Sequence, residues 1–321
     1  MNFKHTFHVF VDNFSIVYKR LLYGLIVLAI GIGLFSAIII PALNDIMGTA
    51  QYAAFKDSVT ALWSDITNLN AELLHDDLSA FRTAFKDFVK MFGAEKEGMF
   101  ALCIVLLAIA YMVYRFLVGL GNYTTGALIS DRMTLQAKSP FIGTMIKNLG
   151  KASIYNVIYV PVSFVFDVLS VLLIWALFFR WLTFLPILIR IFLFSAVLIA
   201  IVPVKLAFTV NWLPSLIHGK ESNRKAFVIN FKKSVHGFGN TYSTFLVLTL
   251  IIIALNVAAI AFTFGAGLLI TIPASYIMLI SFQFVNYYNA NGFKFFIGNA
   301  VVGPKKETPP TIEEFFKGEE Q

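Results

Sequence analysis

The 321-residue chain is 58% hydrophobic and 13% charged, with a mean hydropathy of +0.78, whereas a soluble domain carries about 25% charged residues. No water-soluble fold hides that much apolar surface, and 34 phenylalanines against 10 prolines argue against disorder or low complexity away from the ends. The net charge of +7 does not arise from a separate basic module of the kind nucleic-acid binding needs; the basic residues sit beside apolar runs, where they orient loops. These features predict an all-α, polytopic helical membrane protein with six transmembrane helices and amphipathic helices at the interface.

Residues 1–20 predict a cytoplasmic amphipathic N-terminal helix. Phe3, Phe7, Phe10, Phe14, Val17 and Leu21 recur at spacings of three and four, with His5, His8, Asp12 and Asn13 on other faces. His5 and His8 are three apart, but two imidazoles without a further ligand do not make a metal site. The first apolar run, 21–43, follows Lys19 and Arg20 and precedes the small residues Gly48 and Ala50. It exceeds the ~7–15 residues of a cleavable signal and reads as a retained anchor.

Residues 44–98 carry nine carboxylates (Asp45, Asp57, Asp65, Glu72, Asp76, Asp77, Asp87, Glu95, Glu97) against five basic residues (Lys56, Arg82, Lys86, Lys90, Lys96). This acidic loop belongs on the extracytoplasmic side. Phe55, Val59, Leu62, Ile66, Leu69 and Leu73, then Leu78, Phe81, Phe85, Phe88 and Phe92, predict two amphipathic helices broken around 75–77. Their apolar stripes pack on each other and the spans, dock a partner, or lie on the outer leaflet.

A second span, 99–120, holds Cys103, the only cysteine, which excludes an intramolecular disulfide and reads as a small buried hydrophobe. Residues 121–303 read as a duplicated unit. Twice a basic amphipathic stretch, 141–151 (FIGTMIKNLGK) and 227–237 (FVINFKKSVHG), precedes a pair of spans, 157–179 with 183–205 and 244–264 with 266–287. The links, 180–182 and Gly265 with its neighbours, are short enough to force antiparallel hairpins. The positive-inside rule places both termini in the cytoplasm of a multi-pass cell-membrane protein. It also assigns a cytoplasmic basic surface to Lys147, Lys151, Lys220, Arg224, Lys225, Lys232 and Lys233. Residues 304–321 form a cytoplasmic tail, in which Thr311 and Glu314 make a capping-box pattern before Phe315 and Phe316.

The stretch 212–238 (WLPSLIHGKESNRKAFVINFKKSVHGF), with Ala226, Phe227 and Ser234 before a span pair closing in Tyr287 and Tyr288, resembles a loose group of bacterial six-span integral membrane proteins of unknown function. That group is similar to the membrane domain attached to some glycerophosphodiester phosphodiesterases. The resemblance implies the six-span architecture; the hydrolase barrel would need some ~250 soluble residues, which this chain does not have.

Asp167, Arg190 and Arg115 are ionisable groups inside spans and so functional candidates. By depth, an ion pair of Asp167 with Arg190 or Arg115 holds the bundle together, or Asp167 relays protons in transport. Gly119, Gly121 and Gly126 (GLGNYTTG) have the wrong spacing and context for a phosphate loop, and no hydrolase or metalloprotease motif occurs. No catalytic residue, metal or cofactor is expected. Two functions stay open: an accessory or scaffold component binding protein partners, through 44–98 or the tail, or membrane lipids; and a transporter or permease-like subunit using the intramembrane Asp/Arg pair.

Overall fold

The computed structural model describes residues 2–68, 71–94, 96–218, 223–298 and 300–303. The chain is almost wholly α-helical, and six of its helices are long and apolar enough to cross a bilayer, which makes it a multi-pass integral membrane protein. In order these are α1 (Asn2–Asp12), α2 (Ile16–Met47), α3 (Ala50–Thr67), α4 (Ala71–Ala94), α5 (Glu97–Leu135), α6 (Phe141–Trp175), α7 (Ile187–Thr209), α8 (Trp212–His218), α9 (Asn223–His236), α10 (Phe238–Thr263) and α11 (Leu268–Ala290). A two-stranded hairpin follows, β1 (Phe295–Ile297) and β2 (Ala300–Val302).

The spanning helices are α2, α5, α6, α7, α10 and α11, and each contains most of an expected apolar run. α2, α5 and α6, of 32, 39 and 35 residues, are much longer than those runs. At 1.5 Å per residue, the 39 residues of α5 extend ~58 Å, about twice the ~30 Å hydrocarbon thickness, so this helix continues well beyond the bilayer. The stretch 141–151 is the opening of α6, without a break before the span, whereas 227–237 lies in α9, separated from α10 by a turn at Gly237. The α6–α7 connection unwinds through a π-helical turn, Ala176–Trp181, and a 3₁₀ turn, Leu182–Phe184, before Pro186 starts α7. The α10–α11 connection is tighter: Phe264 and Gly265 take left-handed φ of 51° and 90°, and the glycine has no Cβ to oppose that angle.

The chain forms two compact units, Ile26–Arg115 and Met1–Leu25 with Phe116–Gln321. In the smaller, α3 and α4 form an antiparallel pair closed by aromatic rings: Phe55 stacks on Phe88 at 5.1 Å and lies 5.8 Å from Phe81. α3 ends at Thr67 and α4 begins at Ala71, so the break expected around 75–77 falls inside α4. A helix tolerates the His75-Asp76-Asp77 cluster because acidic residues favour its first turns. Burial, a hydrogen bond with Asp77 and the charge of that residue together push the Asp65 carboxyl up. Lys96 closes an ion pair on Asp45 at 2.6 Å.

The larger unit is built around α11. This span has the lowest hydropathy of the six, 1.9, yet buries 44% of its most apolar stretch, against 17% or less in each of the others. In lipid the apolar faces need no cover, so the least apolar span is the one placed inside. Ile277, Phe284, Val285 and Tyr288 meet Tyr123, Ile129 and Met133 of α5, Val9 of α1 and Leu213 of α8. A second cluster joins Phe282 to Phe245 of α10, edge to face at 4.7 Å, beside Ala207 and Val210 near the end of α7.

The N-terminal helix packs on α11 and β1 through a face other than the phenylalanine stripe. Thr6, Val9 and Asn13 are buried, whereas Phe3, Phe7 and Phe14 are exposed, and of the stripe only Val17 is fully enclosed. The hairpin pairs Phe295 with Val302 and Ile297 with Ala300 across Gly298, whose φ is +57°. The capping-box stretch 311–317 lies outside the described residues.

Candidate functional site

Asp167 sits on the third turn from the end of α6 and faces α7. Its Oδ1 accepts a hydrogen bond from Lys205 Nζ at 2.7 Å, with both side chains partly buried. The expected partners were Arg190 and Arg115. Helix geometry corrects the Arg190 expectation: Arg190 precedes Lys205 by 15 residues on α7, ~22 Å along the axis, far beyond what its side chain spans. Depths counted from the hydropathy ends misplaced these residues because α6 begins and α7 finishes outside the apolar runs. Arg190 has its Nε buried without a hydrogen-bond partner, and Arg115 lies 6.0 Å over the ring of Tyr111 on its own helix.

Beside the Asp167–Lys205 pair lies a cavity of about 250 Å³ walled by Val162, Phe166, Phe208, Trp212 and Phe231, with Ser163, Lys205 and Thr209 at its edge. Its free wall is apolar, since the lysine head turns to Asp167 and the Thr209 hydroxyl donates to the Lys205 carbonyl at 3.0 Å. Trp212 Nε1 is buried without a hydrogen-bond partner.

The other polar side chains of the spans are mostly satisfied on their own helices. Ser170 donates to Phe166 O, Ser195 to Ile191 O and Ser275 to Thr271 O. Asn256 donates to Ile252 O and accepts from Thr271, joining α10 to α11 at 2.7 Å. Back-bonding of this kind removes a hydroxyl's cost in lipid without creating a binding site.

A buried cation that sequence reasoning used only as a topology marker is Arg20. It is 5% exposed, donates through Nη2 to Asn122 Oδ1 at 2.9 Å, and lies 5.4 Å from the ring centres of both Tyr23 and Tyr276. Tyr23 donates its hydroxyl to Leu117 O at 2.6 Å. Gly121 makes room for this cluster, since a Cβ there would overlap Arg20 and Tyr23, and a Cβ at Gly119 would overlap the Asn156 carboxamide. The GLGNYTTG glycines are thus close-approach positions of α5; two glycines two apart in an apolar run, with an arginine at a neighbouring span end, were the available signal.

On the basic surface, Lys147 and Lys151 are exposed one turn apart on α6, and Lys232 is exposed on α9. Arg224, Lys225 and Lys233 belong to α9, but their side chains are outside the described set, as is all of Lys220. Among the described residues no group of three or more His, Cys, Asp or Glu is placed to hold a metal. His5 instead meets Phe295 edge-on at 6.1 Å. Compared with known proteins, the chain matches no family model, no curated protein and no solved structure.

Proposed function

We propose that the protein is an accessory or scaffold component of the cell membrane, acting by binding protein partners or lipids rather than by catalysis, with both termini in the cytoplasm. The observation that carries this reading is how the spans spend their polar groups. The Asp167 carboxylate is closed on Lys205, the adjoining cavity wall is apolar, and Ser170, Ser195 and Ser275 bond back to their own helices, while Ser281 of α11 is buried without a hydrogen-bond partner. A translocation path gathers polar side chains on facing helices, and only Ser163, Lys205 and Thr209 approach one here. Binding is favoured by what is left exposed: the Phe3, Phe7 and Phe14 face of α1, suited to a headgroup layer, the α3–α4 pair with exposed Trp63, Phe85 and Val89, and the Lys147, Lys151 and Lys232 cations, suited to anionic lipid. The relation to the six-span group named above belongs to this proposal and rests on the quoted stretch 212–238.

Purification of the intact protein in mild detergent, with identification of copurifying proteins and lipids, tests it. A stoichiometric protein partner or a retained lipid class is the expected result. A lone protein carrying a small polar solute, with uptake lost in Asp167→Asn while assembly is kept, would support the transporter reading instead.

A further inference from the structure

At the end of the larger unit that carries α1, three elements are tied together at one residue. Asp12, closing α1, accepts a hydrogen bond from the Gly298 N–H at 2.6 Å, and Gln136, just past α5, donates through Nε2 to the Gly298 carbonyl at 3.1 Å. Gln136 turns the chain out of α5 with a left-handed φ of 54°, which directs Lys138 back alongside Arg132. The result is a cleft of about 280 Å³ between the α1 end, the α5 end and the hairpin turn, with Arg132 and Lys138 in its wall. A smaller hollow of about 50 Å³ adjoins it, shares Asn13, Arg132 and Lys138, and adds Lys19 from the first turn of α2.

Arg132 and Lys138 therefore line both spaces, and Lys19 is a third cation in the smaller one. Among the described residues the only carboxylate lining the cleft is Asp12, which accepts from Gly298. Asp131, next in sequence to Arg132, accepts from Ser139 at 2.9 Å. Among the described residues Lys19, Arg132 and Lys138 take part in no ion pair. Three cations against one carboxylate leave the site net positive, and an anion bound between them relieves their repulsion while gaining charge-assisted hydrogen bonds.

We propose that this cleft binds a phosphate group, carried by the headgroup of an anionic membrane lipid. The donor set fits: a forked guanidinium and two ammonium groups match the several oxygens of a phosphate. The size is near the lower end of the about 300–1,000 Å³ of ligand pockets, enough for a headgroup. Depth favours lipid over a soluble anion, because Lys19 lies two residues before the apolar run beginning at Leu21, ~3 Å along the helix, at the level where headgroups sit. Ile16 and Leu128 give the smaller hollow an apolar side. The proposal rests on the accessory reading for the source of the phosphate and not for the site itself.

The test uses the full-length protein in mild detergent, titrated with phosphatidic acid, with phosphatidylcholine and, separately, with inorganic phosphate, and read by native mass spectrometry. Phosphatidic acid is expected to bind in preference to phosphatidylcholine. Lys138→Gln, at an exposed position, lowers that affinity about tenfold, and Arg132→Gln with Lys138→Gln about a hundredfold. Lys56→Gln with Lys86→Gln, exposed on α3 and α4 and outside both the cleft and the Lys147, Lys151 and Lys232 surface, leaves it unchanged. Inorganic phosphate binding with the same variant pattern, without phosphatidic acid binding, upholds the phosphate site and assigns it a soluble ligand. Phosphatidic acid bound equally by wild type and Lys138→Gln, or no phosphate compound bound at all, overturns the site. Protein partners recovered by copurification would survive either result, so the two proposals fail separately.

Discussion

The Asp167–Lys205 pair and the bare faces of α5 are where single side chains matter most. Asp167→Asn leaves the Lys205 ammonium partly buried without its carboxylate, and stability is expected to fall by about 1–3 kcal/mol, measured as a shift in thermal or denaturant unfolding in detergent. Adding Lys205→Met should recover most of that loss, because a partly buried pair is costly to break but not costly to replace by apolar groups. A catalytic or relay role for Asp167 would instead separate function from stability. Gly119→Ala should cost about 1–3 kcal/mol by forcing Asn156, which is fully buried, out of place. Gly24→Ala, on the same unit but with open space where its Cβ would go, should be neutral or slightly stabilising, so the pair separates close packing from helix propensity.

Helices show how far a hydropathy pattern reaches. Six spans were legible because ~20 apolar residues in a row have no other stable place, and the tight α10–α11 turn was legible from Gly265. Helix ends were not, since α5 and α6 continue for several turns beyond their apolar runs, and that shift concealed Lys205 as the partner of Asp167. The β-hairpin was missed although Gly298 and Asn299 between FFI and AVV form a recognised turn signal. The face that α1 buries was missed for a different reason: phenylalanine is content in either lipid or core, so its periodicity does not tell which, and Thr6, Val9 and Asn13 went inside. The docking of α1 carries its own prediction. Burial first, and then the positive charges of the amino terminus, His8 and Lys4, hold the His5 pKa below its ordinary 6.5, and its Nδ1 is buried without a hydrogen-bond partner. The undocked helix therefore takes up the proton first as pH falls through that value, so docking is fully present above it and weakens below it. Hydrogen exchange in α1, corrected for intrinsic rates, should accelerate between about pH 7.5 and about pH 5.5, and His5→Phe should remove the dependence.

On the scale of the whole molecule, the proposed topology has six crossings, with both termini on the cytoplasmic side and the acidic α3–α4 pair on the other. Every binding surface proposed for the chain depends on it, because the phosphate cleft and the Lys147, Lys151 and Lys232 surface must share the leaflet richest in anionic lipid. Cys103 is the sole cysteine, and Cys103→Ser gives a background in which one introduced thiol reports one position. The most direct measurement is labelling of Thr60→Cys, in α3, and Lys147→Cys, on α6, by a membrane-impermeant maleimide in intact and in permeabilised cells. The account predicts that Thr60→Cys is labelled in intact cells and Lys147→Cys only after permeabilisation; the reverse pattern, or labelling of both in intact cells, contradicts it.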